Sequence, residues 1–170
     1  MNRLRFTKVR EVISPTRAND GDAGLDFYMP TDLEALDYHG DICIRYKDGF
    51  ITSLDIAPHT RVLIPSGIRI LLEPKESMLT AANKSGIASK KGLIYSAQII
   101  DSPYTGELHI GIINTGETVE TIEAGKKLMQ FIHVPIYLTQ PEEISFNEYE
   151  ELANDWGTRG SNGFGSSDKQ

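Results

Sequence analysis

Short runs of alternating or nearly continuous apolar residues, separated by turn formers, dominate the chain: LRFTKV, GLDFYM, DICIRY, FITSLDI, TRVLIP, GIRILL, ELHIGII and LMQFIHVPI. Runs of this length and spacing predict strands, and their succession predicts an all-β fold, a β-sandwich of jelly-roll-like type. In Glu107-Leu108-His109-Ile110-Gly111-Ile112 the apolar residues fall at every second position, so one face is buried and His109 points away from Leu108 and Ile110. By the same alternation Gln130 faces away from Met129 and Phe131. The segments Ile42 to Tyr46 and Phe50 to Leu54 flank Lys47-Asp48-Gly49. Asp-Gly between alternating runs predicts a hairpin, expected to project as an arm. Helical patterning is confined to Pro141 to Asn154, where Ile144, Tyr149 and Leu152 match a helical face poorly. A helical turn and an extended linker both remain open there.

With 170 residues, 39% of them hydrophobic, the chain is long enough for one domain with its own core. The expected organisation is a β-sandwich core over 1–140, with an inserted hairpin near 34–56, and a linker and glycine-rich C-terminal arm of the same domain over 141–170. The insertion is either a surface for a partner or inert. No apolar run approaches the roughly 18 residues of a membrane helix. The start, MNRLRFTKVR, lacks the apolar stretch of a signal peptide, so an intracellular, cytoplasmic protein is expected, with a viral or phage source compatible. Cys43 is the sole cysteine, which excludes an intrachain disulfide and reads as a strand residue. The formal charge of −7 argues against broad electrostatic binding to nucleic acid, so any phosphate site must be local. His39, His59, His109 and His133 lack metal-ligand spacing.

Candidate chemistry collects at a few places. The tail Arg159-Gly160-Ser161-Asn162-Gly163-Phe164-Gly165-Ser166-Ser167 joins an arginine, an aromatic ring and hydroxyls on a glycine-rich backbone. Glycines let N–H groups converge on an anion, arginine pairs with phosphate oxygens and phenylalanine can cover a base. A plain Gly/Ser terminus is the competing reading. Asp101, between Ile99-Ile100 and the turn Ser102-Pro103, is a carboxylate at the mouth of an apolar strand. It can take a proton from water or simply cap the turn. Ser85-Gly86 is either an anion-binding turn or a turn without a ligand. Asp26 in AGLDFY reads as a strand-end carboxylate, and Lys126-Lys127 as a solvated pair.

Five segments in order, AGLDFY (Ala23 to Tyr28), NKSGIASKKG (Asn83 to Gly92), DSPYTGELHIGIIN (Asp101 to Asn114), GKKLMQFIHVP (Gly125 to Pro135) and the tail, resemble the five motifs of the trimeric dUTPase family. The resemblance spans about 145 residues, from Ala23 to Ser167. It implies a homotrimer that hydrolyses dUTP to dUMP and pyrophosphate, lowering dUTP and supplying the precursor of dTTP. Asp101 is then the general base, and Tyr104 packs against the deoxyribose where a 2′-hydroxyl would clash. The hairpin after Asp101 reads uracil through its backbone. Lys84, Ser85, Gly86 and Gln130 contact phosphates, as does Arg159, while Gly163, Phe164, Gly165 and Ser166 close over the nucleotide. Asp26 supports the site from behind. Magnesium is expected to be held chiefly by the triphosphate rather than directly by the protein.

The family's sites are assembled from three chains. One gives the AGLDFY, NKSG and GKKLMQ segments, a second the uracil hairpin and a third the tail. About 24 residues separate Pro135 from Arg159, enough at roughly 3.3 Å per residue to cross a neighbouring subunit. The chain departs from the family pattern where Asn83-Lys84 replaces Pro-Arg, and Lys84 keeps the charge without the planar fork. Gln98, assigned to the substrate site, stands in place of the glycine that lies against the base, and Tyr95 in place of a small amide. A dCTP deaminase or bifunctional deaminase and dUTPase is the nearest alternative, with Glu107 as its candidate acid/base. A non-catalytic nucleotide-binding sandwich is the other.

Overall fold

Alternation along the strands becomes a partition of side chains between core and solvent in the computed structural model, which describes residues 2–157. In chain order the elements are β1 (Arg3–Lys8), β2 (Leu25–Tyr28), β3 (Asp37–His39), β4 (Ile42–Lys47), β5 (Phe50–Ile56), β6 (Arg61–Glu73), β7 (Ser77–Ala82), α1 (Ser85–Lys91), β8 (Leu93–Tyr95), β9 (Ile99–Asp101), β10 (Glu107–Asn114), β11 (Glu120–Glu123), β12 (Lys127–Pro135) and α2 (Phe146–Trp156). One sheet runs β1-β6-β10-β8, with β3 also paired to β6; a second runs β11-β5-β4 and a third β2-β12-β7-β9. Their pairings are antiparallel.

A single apolar cluster joins the inward faces of these sheets. Phe27 of β2 and Phe131 of β12, both fully buried, meet edge to face with ring centroids 4.8 Å apart, a geometry that favours aromatic pairs beyond their buried area. Leu108, Ile110 and Ile112 are buried while His109 is exposed, as the alternation predicts. Met129 and Phe131 are likewise buried on either side of Gln130.

The Asp48-Gly49 hairpin forms, with Lys47 opposite Phe50 and both turn residues at positive φ, 54° and 87°. It does not project. Ile51, Leu54 and Ile56 of β5 are fully buried, and β5 is the central strand between β4 and β11, so core burial ties the hairpin down. TRVLIP and GIRILL, two runs in the sequence, are one strand. β6 continues through Pro65-Ser66-Gly67 because that stretch forms an irregularity within the ladder rather than a turn.

The chain divides into two units, Met1–Tyr137 and Leu138–Gln170. The first holds the sheets. In the second, α2 starts at Ser145, whose hydroxyl accepts from the Glu148 N–H at 3.3 Å. Ser-Phe-Asn-Glu is the spacing of a capping box, and it decides the segment in favour of a helix.

Candidate functional site

The end of the third sheet near Gly24 gathers one half of the predicted site. Gln130 on β12 stands between Asp26 on β2 and Ala82 on β7 in the ladder register. Directly opposed residues share a sheet face, so the Asp26 and Gln130 side chains lie together. Asp26 is 2% exposed. A buried carboxylate must be paired, and two lysines do this: Lys84 bonds one oxygen and Lys127 lies 2.6 Å from the other. Burial alone would raise the Asp26 pKa, but the hydrogen bonds from Lys127 and Lys84, with their charges, hold it below the ordinary carboxylate range. The bond to Asp26 in turn raises the Lys127 pKa.

Lys84 is also the residue from which α1 starts, so the following Ser85 and Gly86 open the helix beside the pair, both exposed. A Cβ on Gly86 would meet nothing within 4 Å, which leaves the backbone approachable from solvent. The helix closes at Gly92, at φ 65°, where glycine has no steric penalty. The Gln130 amide reaches the Asn83 carbonyl at 3.5 Å, and the Asn83 side chain accepts from the Tyr95 N–H at 3.2 Å.

The other half lies on the connection from β9 to β10. Asp101 ends β9 and is exposed. Its carbonyl accepts from the Tyr104 N–H at 3.0 Å, so carboxylate and ring belong to one tight turn. The Tyr104 hydroxyl donates to the Glu107 carbonyl at 2.8 Å. Its ring covers Gly106, where a Cβ would come within 2.6 Å of Cζ. The ring is therefore fixed at both ends while 45% of the residue remains exposed.

Within one chain these halves are apart. Asp101 is paired with Met78 and Gln130 with Ala82, four residues along β7, a separation of about 13 Å along the strand alone. Gln98 lies nearer the Gln130 end: it is exposed, and its carbonyl accepts from the Ala81 N–H at 2.7 Å. Arg159, Gly163, Phe164, Gly165 and Ser166 lie outside the described residues.

Four further residues matter here. Lys127 is exposed, as a solvated lysine would be, but it also grips a carboxylate far away in sequence. Gly24 leaves the space that the Gln130 amide fills. Tyr95 turns its ring into the core, 7% exposed, and its hydroxyl donates to the Leu128 carbonyl; burial first, and then the Asp26 charge, push its pKa up. Its side chain therefore does not take the place of a base-contacting amide. Glu107 is equally committed. Its carboxylate accepts from Arg10 Nε at 2.8 Å, Arg10 Nη2 at 3.2 Å and the Gly67 N–H at 2.8 Å, which removes it from the role of a deaminase acid/base.

No group of three or more His, Cys, Asp or Glu that could hold a metal occurs among the described residues. Asp26 is held by lysines on both oxygens. Its chemistry is that of a counterion to two cations and does not suit direct metal ligation.

Residues 50–168 match the family model described as dUTPase. A deoxyuridine 5′-triphosphate nucleotidohydrolase of Legionella pneumophila (strain Paris) is 30% identical over 155 residues, covering 90% of this chain and 85% of the relative. The fold is similar to that of a glycine-to-serine mutant of the Staphylococcus bacteriophage 80alpha dUTPase with dUpNHpp, with TM-score 0.73, 19% identity and coverage of 98% and 99% of the two chains. It is also similar to an aspartate-to-asparagine mutant of the dUTPase from phage phi11 of S. aureus, a structure described as showing the coordination of a structural Mg(II) ion, with TM-score 0.64, 19% identity and coverage of 84% and 96%.

Proposed function

The chain belongs to the dUTPase family, and from that premise we propose that it is a dUTP diphosphatase converting dUTP and water to dUMP and pyrophosphate. The observation that carries the reading is the Asp101–Tyr104 turn. A carboxylate open to solvent and an aromatic wall share one backbone hydrogen bond, which couples the position of the base to the position of the sugar.

In this reading Asp101 takes a proton from a water whose oxygen attacks the α-phosphorus. The bond from that phosphorus to the bridging oxygen breaks, and pyrophosphate leaves with the electron pair. Ser85 and the Gly86 backbone, Gln130, Lys84 and Arg159 oppose the charge that builds on the leaving side. Asp26 fixes the heads of Lys84 and Lys127, so this end of the sheet carries one net positive charge in a defined place. Tyr104 excludes the 2′-hydroxyl, and Gln98 stands at the edge of the base site. Gly163, Phe164, Gly165 and Ser166 shut water from the nucleotide. Magnesium bound to the triphosphate would supply charge neutralisation on the phosphates; none of the described side chains is assigned to it.

The separation of Asp101 from Gln130 along β7 supports a site shared between copies, with the phosphate residues of one chain facing the Asp101 turn of a second and the tail of a third in a homotrimer. An enzyme of this kind works inside the cell, where it holds dUTP down and provides dUMP for dTTP. Among the described residues, no helix is long and apolar enough to cross a membrane. Measuring pyrophosphate release from dUTP, UTP and dCTP tests the reading. Release from dUTP in strong preference to UTP and dCTP is expected, whereas ammonia from dCTP or no turnover with any nucleotide would overturn it.

A further inference from the structure

The irregular stretch in β6 lies against the turn that carries Tyr104. Glu107 faces Arg69, but His109 faces Pro65, so Ser66, Gly67 and Ile68 stand opposite the single residue Leu108. Extra residues in a ladder leave backbone groups without their usual partners. Gly67, at φ 73°, takes a left-handed conformation, and its carbonyl is met by the Val9 N–H at 2.8 Å. Its N–H is met by the Glu107 carboxylate at 2.8 Å. The same carboxylate receives two bonds from the Arg10 guanidinium, and the same residue's carbonyl receives the Tyr104 hydroxyl.

Glu107 is therefore a junction with three arms. One reaches the bulge, one reaches Arg10 and one reaches the ring beside Asp101. A bidentate guanidinium fixes a carboxylate in plane as well as in distance. Arg10 is itself placed by its neighbour, because the Val9–Gly67 bond ties the chain to the bulge immediately before it. A Cβ on Gly67 would come within 3.0 Å of Arg10 Cβ and 2.9 Å of Val12 Cγ1, so Arg10 also packs closely over the bulge. The Arg10 side chain is 33% exposed and that of Glu107 14%, which keeps the pair partly out of water.

We propose that Arg10 is a positioning residue for substrate specificity: through Glu107 it holds the Tyr104 ring at the height that admits a deoxyribose and rejects a ribose. This rests on the dUTPase reading of the site. Arg10 touches neither base nor sugar in this scheme. Its contribution is to hold the Glu107 carboxylate in plane on the bulge at the start of β10, because a carboxylate held only by the Gly67 N–H lets this end of the ladder, and with it the carbonyl that anchors Tyr104, shift, and a small displacement is costly at a reacting centre.

The test uses the full chain with Arg10→Ala, Arg10→Lys, Tyr104→Ala and the double variant, comparing kcat/KM for dUTP and UTP, with thermal unfolding followed in parallel. Arg10→Ala is expected to lower the dUTP/UTP ratio about tenfold, mainly by improving UTP relative to dUTP. Arg10→Lys, with its charge but without the fork, is expected to fall between it and the wild type, and supplies the test if the alanine variant fails to fold. The double variant is expected to discriminate no worse than Tyr104→Ala alone, since both act on one ring. A ratio unchanged in both Arg10 variants, while Tyr104→Ala loses it, overturns the role of Arg10 and leaves the dUTPase reading intact. Equal losses for dUTP and UTP show a merely structural residue and overturn it as well. A wild-type protein with no preference for dUTP over UTP overturns the reading of the site and the role of Arg10 with it.

Discussion

Gly24 and Gln130 occupy one space: a Cβ on residue 24 would fall on the Gln130 amide and come within 3.0 Å of Gln130 Cβ. The glycine is needed here for room rather than for an unusual backbone angle. In the proposed site Gln130 acts through its amide, which points across the sheet end toward Asn83, where Lys84 and Ser85 follow.

Gly24→Ala is expected to fold and to keep its oligomeric state while displacing the Gln130 amide. Activity should fall roughly tenfold or more, chiefly in kcat, with Gln130→Ala giving a similar loss. Steady-state kinetics of the two variants and of their combination check this. Full additivity would mean that the two residues act separately.

Asp26→Asn leaves two lysines facing a neutral group. It is expected to cost about 1.5–3 kcal/mol in denaturant unfolding, the range for a hydrogen bond to a charged group. The acid limb is the more specific check. The Asp26 pKa is lowered in the folded chain, so its stabilisation is fully present above the ordinary carboxylate pKa of about 3.9 and is lost as pH falls through the lower folded value. Unfolding curves below about pH 4 should therefore converge for wild type and variant, with their largest difference near neutrality.

The turn that joins Asp101 to Tyr104 predicts that Tyr104→Ala weakens the choice of dUTP over UTP. In the proposed site, removing the ring opens space at the 2′ position, and it uncovers Gly106. Competition between the two nucleotides reads the ratio directly. An unchanged ratio would place sugar recognition elsewhere.

Much of the fold was legible where local chemistry decides structure. Asp48-Gly49 named its own turn, and the alternation of ELHIGII and LMQFIHVP named the buried faces. β6 was not legible as one strand, because Pro65-Ser66-Gly67 looks like a break; what carries the chain through is the Glu107 carboxylate on the Gly67 N–H, supplied forty residues later. α1 has two adjacent partly buried apolar residues, Ile87 and Ala88, and no apolar stripe, so periodicity could not find it. The Ser145 to Glu148 spacing was a readable helix signal outweighed by the poor apolar face. The hairpin of β4 and β5 looked like an arm because its turn is polar, whereas the burial of β5 depends on partners in other sheets. In the site, residue types were readable and partnerships were not. Nothing near Lys127 in sequence announces Asp26, and nothing near Glu107 announces Arg10.

A site shared between copies makes a further prediction. A chain truncated after Trp156 lacks Arg159 and Phe164, and the Asp101→Asn chain lacks the proposed base. Each alone should be nearly inactive. Co-refolded, with mixed trimers confirmed by mass, they should recover part of the activity, because some sites then combine a base from one chain with a tail from another. Mixed trimers without recovery would show that base and tail come from the same chain.

The most direct measurement follows the attacking oxygen. Hydrolysis of dUTP in ¹⁸O-labelled water should place the label in dUMP and leave pyrophosphate unlabelled, and Asp101→Asn should slow the reaction by roughly 10² to 10⁴ without loss of dUTP binding. Label in pyrophosphate, or an Asp101→Asn protein turning over at the wild-type rate, would contradict water attack at the α-phosphorus with Asp101 as its base.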